Sequence, residues 1–210
     1  MAKVDPVLVA LDRRFLAGLE DALQASAKSA GAWLACRPGC TKCCIGPFPV
    51  TRLDAWRLRR ALEEVARRDA EVARGVLRRA RESAALFVSG FPGDAGTGEL
   101  NDDVKAEDRF FKMHASVPCP VLDPDRGVCV LYDARPISCR TFGLPVRSGS
   151  VDLAPCDLCF GGATGDEIER CRVEPDPAGI EGWLISSLTG ESGDVRETVI
   201  ACALRDVTIP

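Results

Sequence analysis

One histidine, five lysines and no long apolar run set the first limits on this chain of 210 residues. No stretch approaches the roughly 18 uninterrupted apolar residues that a membrane span requires, so a spanning helix is not expected. The N-terminus also lacks a basic region ahead of an apolar core. Its apolar residues 7–11 are too few for one and give way to Asp12-Arg13-Arg14, which predicts a cytoplasmic chain without a secretory leader. Excess charge is scarce too: 27 basic against 31 acidic residues leave a formal charge of −4. Such a balance offers no general attraction to nucleic acid or an anionic membrane.

Catalytic signatures are equally thin. His114, the only histidine, gives a Cys–His nucleophile pair a single possible base, and nothing beside it in the sequence would orient the ring. Gly161-Gly-Ala-Thr-Gly165 lacks the Lys-[Ser/Thr] that touches phosphate and metal in a phosphate loop, so it reads as a flexible turn. No enzyme is therefore called for by visible residues.

Cysteine is what the chain has in excess: eleven, bunched in loop-like places. Four lie in Cys36-Arg-Pro-Gly-Cys40-Thr-Lys-Cys43-Cys44; Cys119, Cys129 and Cys139 form a second patch, and Cys156, Cys159 and Cys171 a third. Thiols gathered in this way pair as disulfides in oxidising compartments and bind metal or do redox chemistry in reducing ones. With a reducing compartment expected and an odd cysteine count, metal binding is the reading. Cys202, set among Val199, Ile200 and Ala203, reads as plain core.

Spacing refines the reading. Cys40 and Cys43 can reach one ion together, and Cys36 can join them because Pro38-Gly39 lets the backbone turn. The side chains of Cys43 and Cys44 diverge, which points to a cluster or a second ion beyond one simple zinc knuckle. Cys119, Cys129 and Cys139 come at near-even spacing from a hairpin and the turn after it. Cys119-Pro120 has the form found at iron–sulfur ligands. Arg37, Arg135 and Arg140 stand next to these thiols in sequence and can donate to sulfur. Both Zn²⁺ and an iron–sulfur cluster of [4Fe–4S] type suit such a donor set.

Around the cysteines the pattern is helical. Apolar residues at i+3/i+4 predict helices over 6–34, 52–68 and 69–88, a shorter one over 104–113, and C-terminal helices over 166–172, 178–188 and 194–206. Thr51 and Asp54 have the form of a capping box. Glu63–Arg67 and Glu64–Arg68 are expected to pair across an arginine-rich, solvated helix pair. Residues 90–103 read as a loop or linker, and hairpins are predicted at 119–132 and 144–153. The expected fold is mainly α with small β-hairpins: a single domain over 1–210, a helical bundle with cysteine-rich metal-binding loops at one end, its cysteine-cluster core at about 36–160.

The series Cys-x3-Cys-x2-Cys-Cys, Cys119-Pro-x-Leu122 and Cys129-x-Leu-Tyr132-x-x-Arg135-Pro136-x-x-Cys139-Arg140 resembles the YkgJ-type cysteine-cluster family. That family is a zinc- or iron-chelating domain and also includes flagellin lysine methylases. The resemblance runs from Cys36 to about Cys156 and implies eight metal ligands: Cys36, Cys40, Cys43, Cys44, Cys119, Cys129, Cys139 and Cys156. Cys36 and Cys40 stand three residues apart where two is usual. Cys159 and Cys171 are additional thiols and possible further ligands. The alternative the resemblance carries is a redox or methyltransferase-type enzyme that uses the cluster, although nothing here looks like an S-adenosylmethionine site.

Overall fold

In the computed structural model, residues 5–193 and 196–209 are described. Their elements run α1 (Pro6–Ala30), β1 (Pro49–Thr51), α2 (Arg52–Arg68), α3 (Ala70–Phe87), β2 (Gly93–Asp94), β3 (Glu99–Leu100) and α4 (Val104–Met113). There follow β4 (Leu122–Asp123), β5 (Val128–Cys129), α5 (Ile137–Thr141), β6 (Val146–Ser148), β7 (Val151–Leu153) and α6 (Gly165–Glu169). The last are α7 (Ile180–Thr189), β8 (Glu197–Val199) and α8 (Ile200–Arg205). The architecture is mainly helical, and each sheet among the described residues has two antiparallel strands. The chain divides into two compact units. The first is Met1–Arg37 with Ile137–Asp194; the second is Pro38–Pro136 with Val195–Pro210.

In the second unit, α2 and α3 form where the arginine-rich pattern predicts them. Thr51 accepts the Asp54 N–H at 3.2 Å and caps α2. The Asp54 carboxylate turns to Arg57 Nη1 at 2.8 Å, a pair buried to 3–4% side-chain exposure. Asp69 both stops α2 and starts α3: its extended backbone breaks the helix, and its carboxylate accepts from the Glu71 and Val72 N–H groups. The inner faces bury Leu58, Leu62, Val76 and Leu77 against Ile200 and Leu204 of α8.

The expected Glu63–Arg67 and Glu64–Arg68 pairs are not formed among the described residues. Instead Arg59, Arg79 and Arg81 reach across to the carbonyls of Ala203, Pro120 and Arg205 at 2.7–3.0 Å. A guanidinium that satisfies a carbonyl at a helix C-terminus or turn does more there than a solvated ion pair would.

Two segments depart from the expected helix and loop. The helix predicted over 194–206 is a strand, β8, followed by the short α8; residues 194 and 195 lie outside the described residues. β8 pairs with β1, Pro49 opposite Val199, and the ladder buries Val50 and Val199 completely enough that extended backbone wins over helical period. Within 90–103, β2 and β3 form a hairpin instead of an open loop.

The first unit is built on α1, whose stripe Leu8, Phe15, Leu19 and Leu23 is buried. Asp5 caps it by accepting the Val7 N–H at 2.8 Å, with Pro6 at the first helical position. The α-helix ends at Ala30, short of the predicted residue 34, and Gly31–Trp33 continues as a tighter 3₁₀ turn. Leu19, Leu23, Leu144, Phe160 and Val173 share one core with Cys159 and Cys171. The hairpin β6–β7 forms as predicted. The α-helix predicted over 166–172 is confined to α6, started by a full capping box between Thr164 and Glu167.

Candidate metal centre

In the second unit, a 3₁₀ turn over Lys42–Cys44 presents the adjacent thiols of the first cysteine loop. The Cys119 N–H donates to the Cys44 carbonyl at 2.8 Å, and the Gly46 N–H to Val117 at 2.8 Å. An antiparallel bridge between Ile45 and Pro118 completes the junction. The next hairpin sets Leu122 of β4 opposite Cys129 of β5, so Cys119 and Cys129 flank one short ladder. At its turn, Gly127 lies against Thr41 and Gly39, packing the hairpin on the loop that carries Cys40.

The sulfurs of Cys43, Cys44, Cys119 and Cys129 influence one another's titration. Cys44 donates its S–H to Cys43, which with the Arg135 charge lowers the Cys43 thiol to about 6. The same bond raises Cys44 strongly, helped by burial and by the nearby Cys119 and Cys129 sulfurs. Burial pushes Cys119 up to about 12 and also raises Cys129. Against that, backbone N–H groups of Val121 and Leu122 point at the Cys119 sulfur, and that of Leu131 at Cys129. Thiols that are buried yet aimed at by N–H donors are poor free acids and good ligands: a bound cation supplies the charge that burial withholds. Arg135 is held over the Tyr132 ring at 3.6 Å, where its charge favours both the Cys43 and Cys129 thiolates.

In the first unit, Cys156 and Cys159 form a tight turn, with the Cys159 N–H on the Cys156 carbonyl at 2.8 Å and the Leu158 N–H on the Cys156 sulfur. The Phe160 N–H then donates to the Trp33 carbonyl at 2.8 Å, tying this turn to the segment that ends in Cys36. Cys139 lies on α5, and Arg140 is paired at 3.6 Å with Glu20 of α1. Arg37 is exposed. Of the eight implied ligands, Cys40, Cys43, Cys44, Cys119 and Cys129 belong to the second unit; Cys36, Cys139 and Cys156 belong to the first.

Other residues take non-ligating places. Cys202 is buried in α8 beneath Gly98, and Cys171 is buried in the first unit's core, its carbonyl taken by Ser26. His114 packs edge-on against Phe87 and tilted against Phe110, with Nε2 unpartnered among the described residues; no nucleophile stands beside it in that ring cluster.

A family model for CxxCxxCC, described as a putative zinc- or iron-chelating domain, matches residues 35–157. The chain belongs to the CxxCxxCC family. No curated protein and no solved structure matches it. The CxxCxxCC match takes in every cysteine from Cys36 to Cys156 and leaves Cys159, Cys171 and Cys202 outside.

The residues present fit a CxxCxxCC metal. None of the eleven cysteines is in a disulfide, and the four second-unit sulfurs Cys43, Cys44, Cys119 and Cys129 are an all-soft donor set of the kind zinc or iron–sulfur ligation uses. Among the described residues, no three His, Cys, Asp or Glu side chains are gathered closely enough to hold a metal ion. Sequence spacing pointed to each of these thiols. It did not point to the N–H groups aimed at Cys119, Cys129 and Cys156, nor to the place of Cys159. The one available signal for Cys159 was the two-residue gap to Cys156.

Proposed function

We propose that this chain is a metal-binding cysteine-cluster protein whose second unit holds an iron–sulfur cluster of [4Fe–4S] type through Cys43, Cys44, Cys119 and Cys129, with Cys40 beside them. The observation that carries the reading is the mutual influence of four thiols of the second unit, three of them served by backbone N–H donors. The adjacent pair Cys43-Cys44 favours a cluster over one tetrahedral ion, because neighbouring side chains diverge and suit separate irons. Bound there, the cluster would supply electron transfer or structural cross-linking. The chain's own part is to exclude water around Cys119, direct N–H groups at the sulfurs and hold the Arg135 charge close by.

Anaerobic purification followed by iron, zinc and acid-labile sulfide analysis tests this. Brown protein with iron and sulfide in equal amounts is the expected result. Colourless protein with stoichiometric zinc and no sulfide would replace the cluster with zinc and leave thiolate metal binding standing. Protein that takes up neither metal would overturn the whole reading.

A further inference from the structure

A cleft of about 690 Å³ lies in the first unit, between α1 and the segment that leads into α7, and no cysteine lines it. Small-molecule sites typically measure about 300–1,000 Å³. The walls are apolar: Leu11, Phe15 and Leu19 of α1 on one side, Pro175, Ile180 and Trp183 on the other. Phe15 and Leu19 are buried, whereas Trp183 is 54% exposed, Ile180 41% and Leu11 37%. Large apolar side chains left open singly are ordinary, but grouped around one concavity they mark a binding surface.

Arg14, Gly18 and Ala22 also line the cleft and recur every four residues along α1. Residues so spaced form one row on a helix, here about 12 Å long at about 1.5 Å per residue. A Cβ built on Gly18 meets no atom within 4 Å, so this glycine opens onto free room. Arg14 is the only basic residue of the lining and has no ion pair among the described residues. Of the two acids there, Asp176 is engaged: its carboxylate accepts the Ile180 and Glu181 N–H groups at 2.8 and 2.7 Å, at the start of α7. Glu174 is exposed, and its charge works against ligands that carry several negative groups.

We propose that this cleft binds a linear amphiphile with a single carboxylate, of the class of a medium-chain fatty acid. Its chain lies along Gly18 and Ala22, and its carboxylate meets Arg14. The proposal goes beyond the metal-binding reading and does not depend on it. Burial of the chain against the apolar walls supplies most of the affinity. Arg14 supplies the orientation, because a guanidinium can hold a carboxylate through two parallel N–H donors. The row from Ala22 to Arg14 has the length of such a chain, and the room over Gly18 admits it.

The test titrates the full metal-loaded chain with decanoate, 1-decanol and decyltrimethylammonium by calorimetry, each below the concentration at which it forms micelles. One decanoate should bind per chain, about tenfold or more tighter than decanol, with the cation weakest. Arg14→Gln should erase that preference and bring decanoate to the level of decanol. Gly18→Leu places a side chain in open room on a helix that leucine suits better than glycine, so its melting midpoint should hold or rise. Decanoate should nevertheless bind it about tenfold or more weaker. The proposal is overturned if decanoate does not bind, if either variant binds it as the parent does, or if decanol binds equally well. Tightest binding of decyltrimethylammonium would also overturn it and assign the cleft to cations through Glu174. So would a concentration-dependent dimer that Trp183→Ser dissolves, since a second copy would then fill the cleft. Metal content is counted in every variant and should equal the parent's, so failure here leaves the second unit's centre standing.

Discussion

The N–H of Cys119 donates to the carbonyl of Cys44 at 2.8 Å. One backbone hydrogen bond therefore joins the first cysteine loop to the second, and it does so at two residues whose sulfurs also sense each other. The second unit gathers these thiols through main-chain contacts and two-residue strands, Leu122–Asp123 and Val128–Cys129. Short strands and loops of this kind cannot supply much stability by themselves.

Metal removal should therefore be felt in the fold. Ligation energy is folding energy where the ligands sit on loops. A contribution of only about 4 kcal/mol would move the melting temperature of a chain this size by roughly 8–16 °C. Chelation, or Cys119→Ser, should lower the midpoint by that order, read by circular dichroism alongside metal content. An unchanged midpoint after complete metal loss would rule out a structural role for the bound metal.

Much of this was legible in advance, and what was not has a common cause. The i+3/i+4 stripes of α1, α2 and α3 are local. Each reads from neighbouring residues. β8 was not legible, because Glu197–Val199 is extended only by pairing with Pro49–Thr51, far away in the chain. A three-residue strand leaves too little alternation to outweigh the apolar spacing that continues into α8. The cysteine spacing likewise announced metal chemistry, whereas the division of thiols between two units depends on tertiary contacts. Nothing in the run Phe142-Gly143-Leu144 says that Gly143 stands against Cys36 and Cys159.

The buried pair Asp54–Arg57 should be costly to break and unconnected with metal. Both side chains are 3–4% exposed at 2.8 Å, so Asp54→Ala takes a close charge partner from the buried Arg57. Removing one partner of such a pair costs about 3–5 kcal/mol. Denaturant unfolding of the metal-loaded protein should show that loss, with metal stoichiometry equal to the parent. A loss under about 1 kcal/mol would mean that solvent or a neighbouring group takes over the charge.

Gly98→Ala should destabilise the second unit while sparing its metal. With φ +77, alanine is strained there, and its Cβ would approach the Cys202 Cβ to 2.5 Å. The clash falls on a carbon that Cys202→Ser or Cys202→Ala would keep, so neither change should rescue it. Overpacking of this kind costs about 1–3 kcal/mol before the backbone strain is added. Thermal melts of the three variants, with metal counted in each, separate this core role of Cys202 from ligation: Cys202→Ala should retain full metal.

Glu197 makes the fold sensitive to pH from outside the thiol centre. Burial raises its pKa first, and the negative charges of Glu107 and Asp54 raise it further. A carboxyl raised in the folded state is favoured there in its protonated form. Its contribution is fully present below the unfolded value of about 4.3 and is lost as pH rises through the higher folded value. At neutral pH the β1–β8 ladder thus carries an ionised, partly desolvated carboxylate opposite Thr51. Glu197→Gln removes that charge and keeps the shape. The variant should melt higher than the parent at pH 7, and the gap should close as pH falls towards about 4, where the parent is protonated as well. Melting both proteins across this range with metal bound is the measurement. A gap that is absent at pH 7, or that widens on acidification, would show that a cation already neutralises Glu197 in the folded chain.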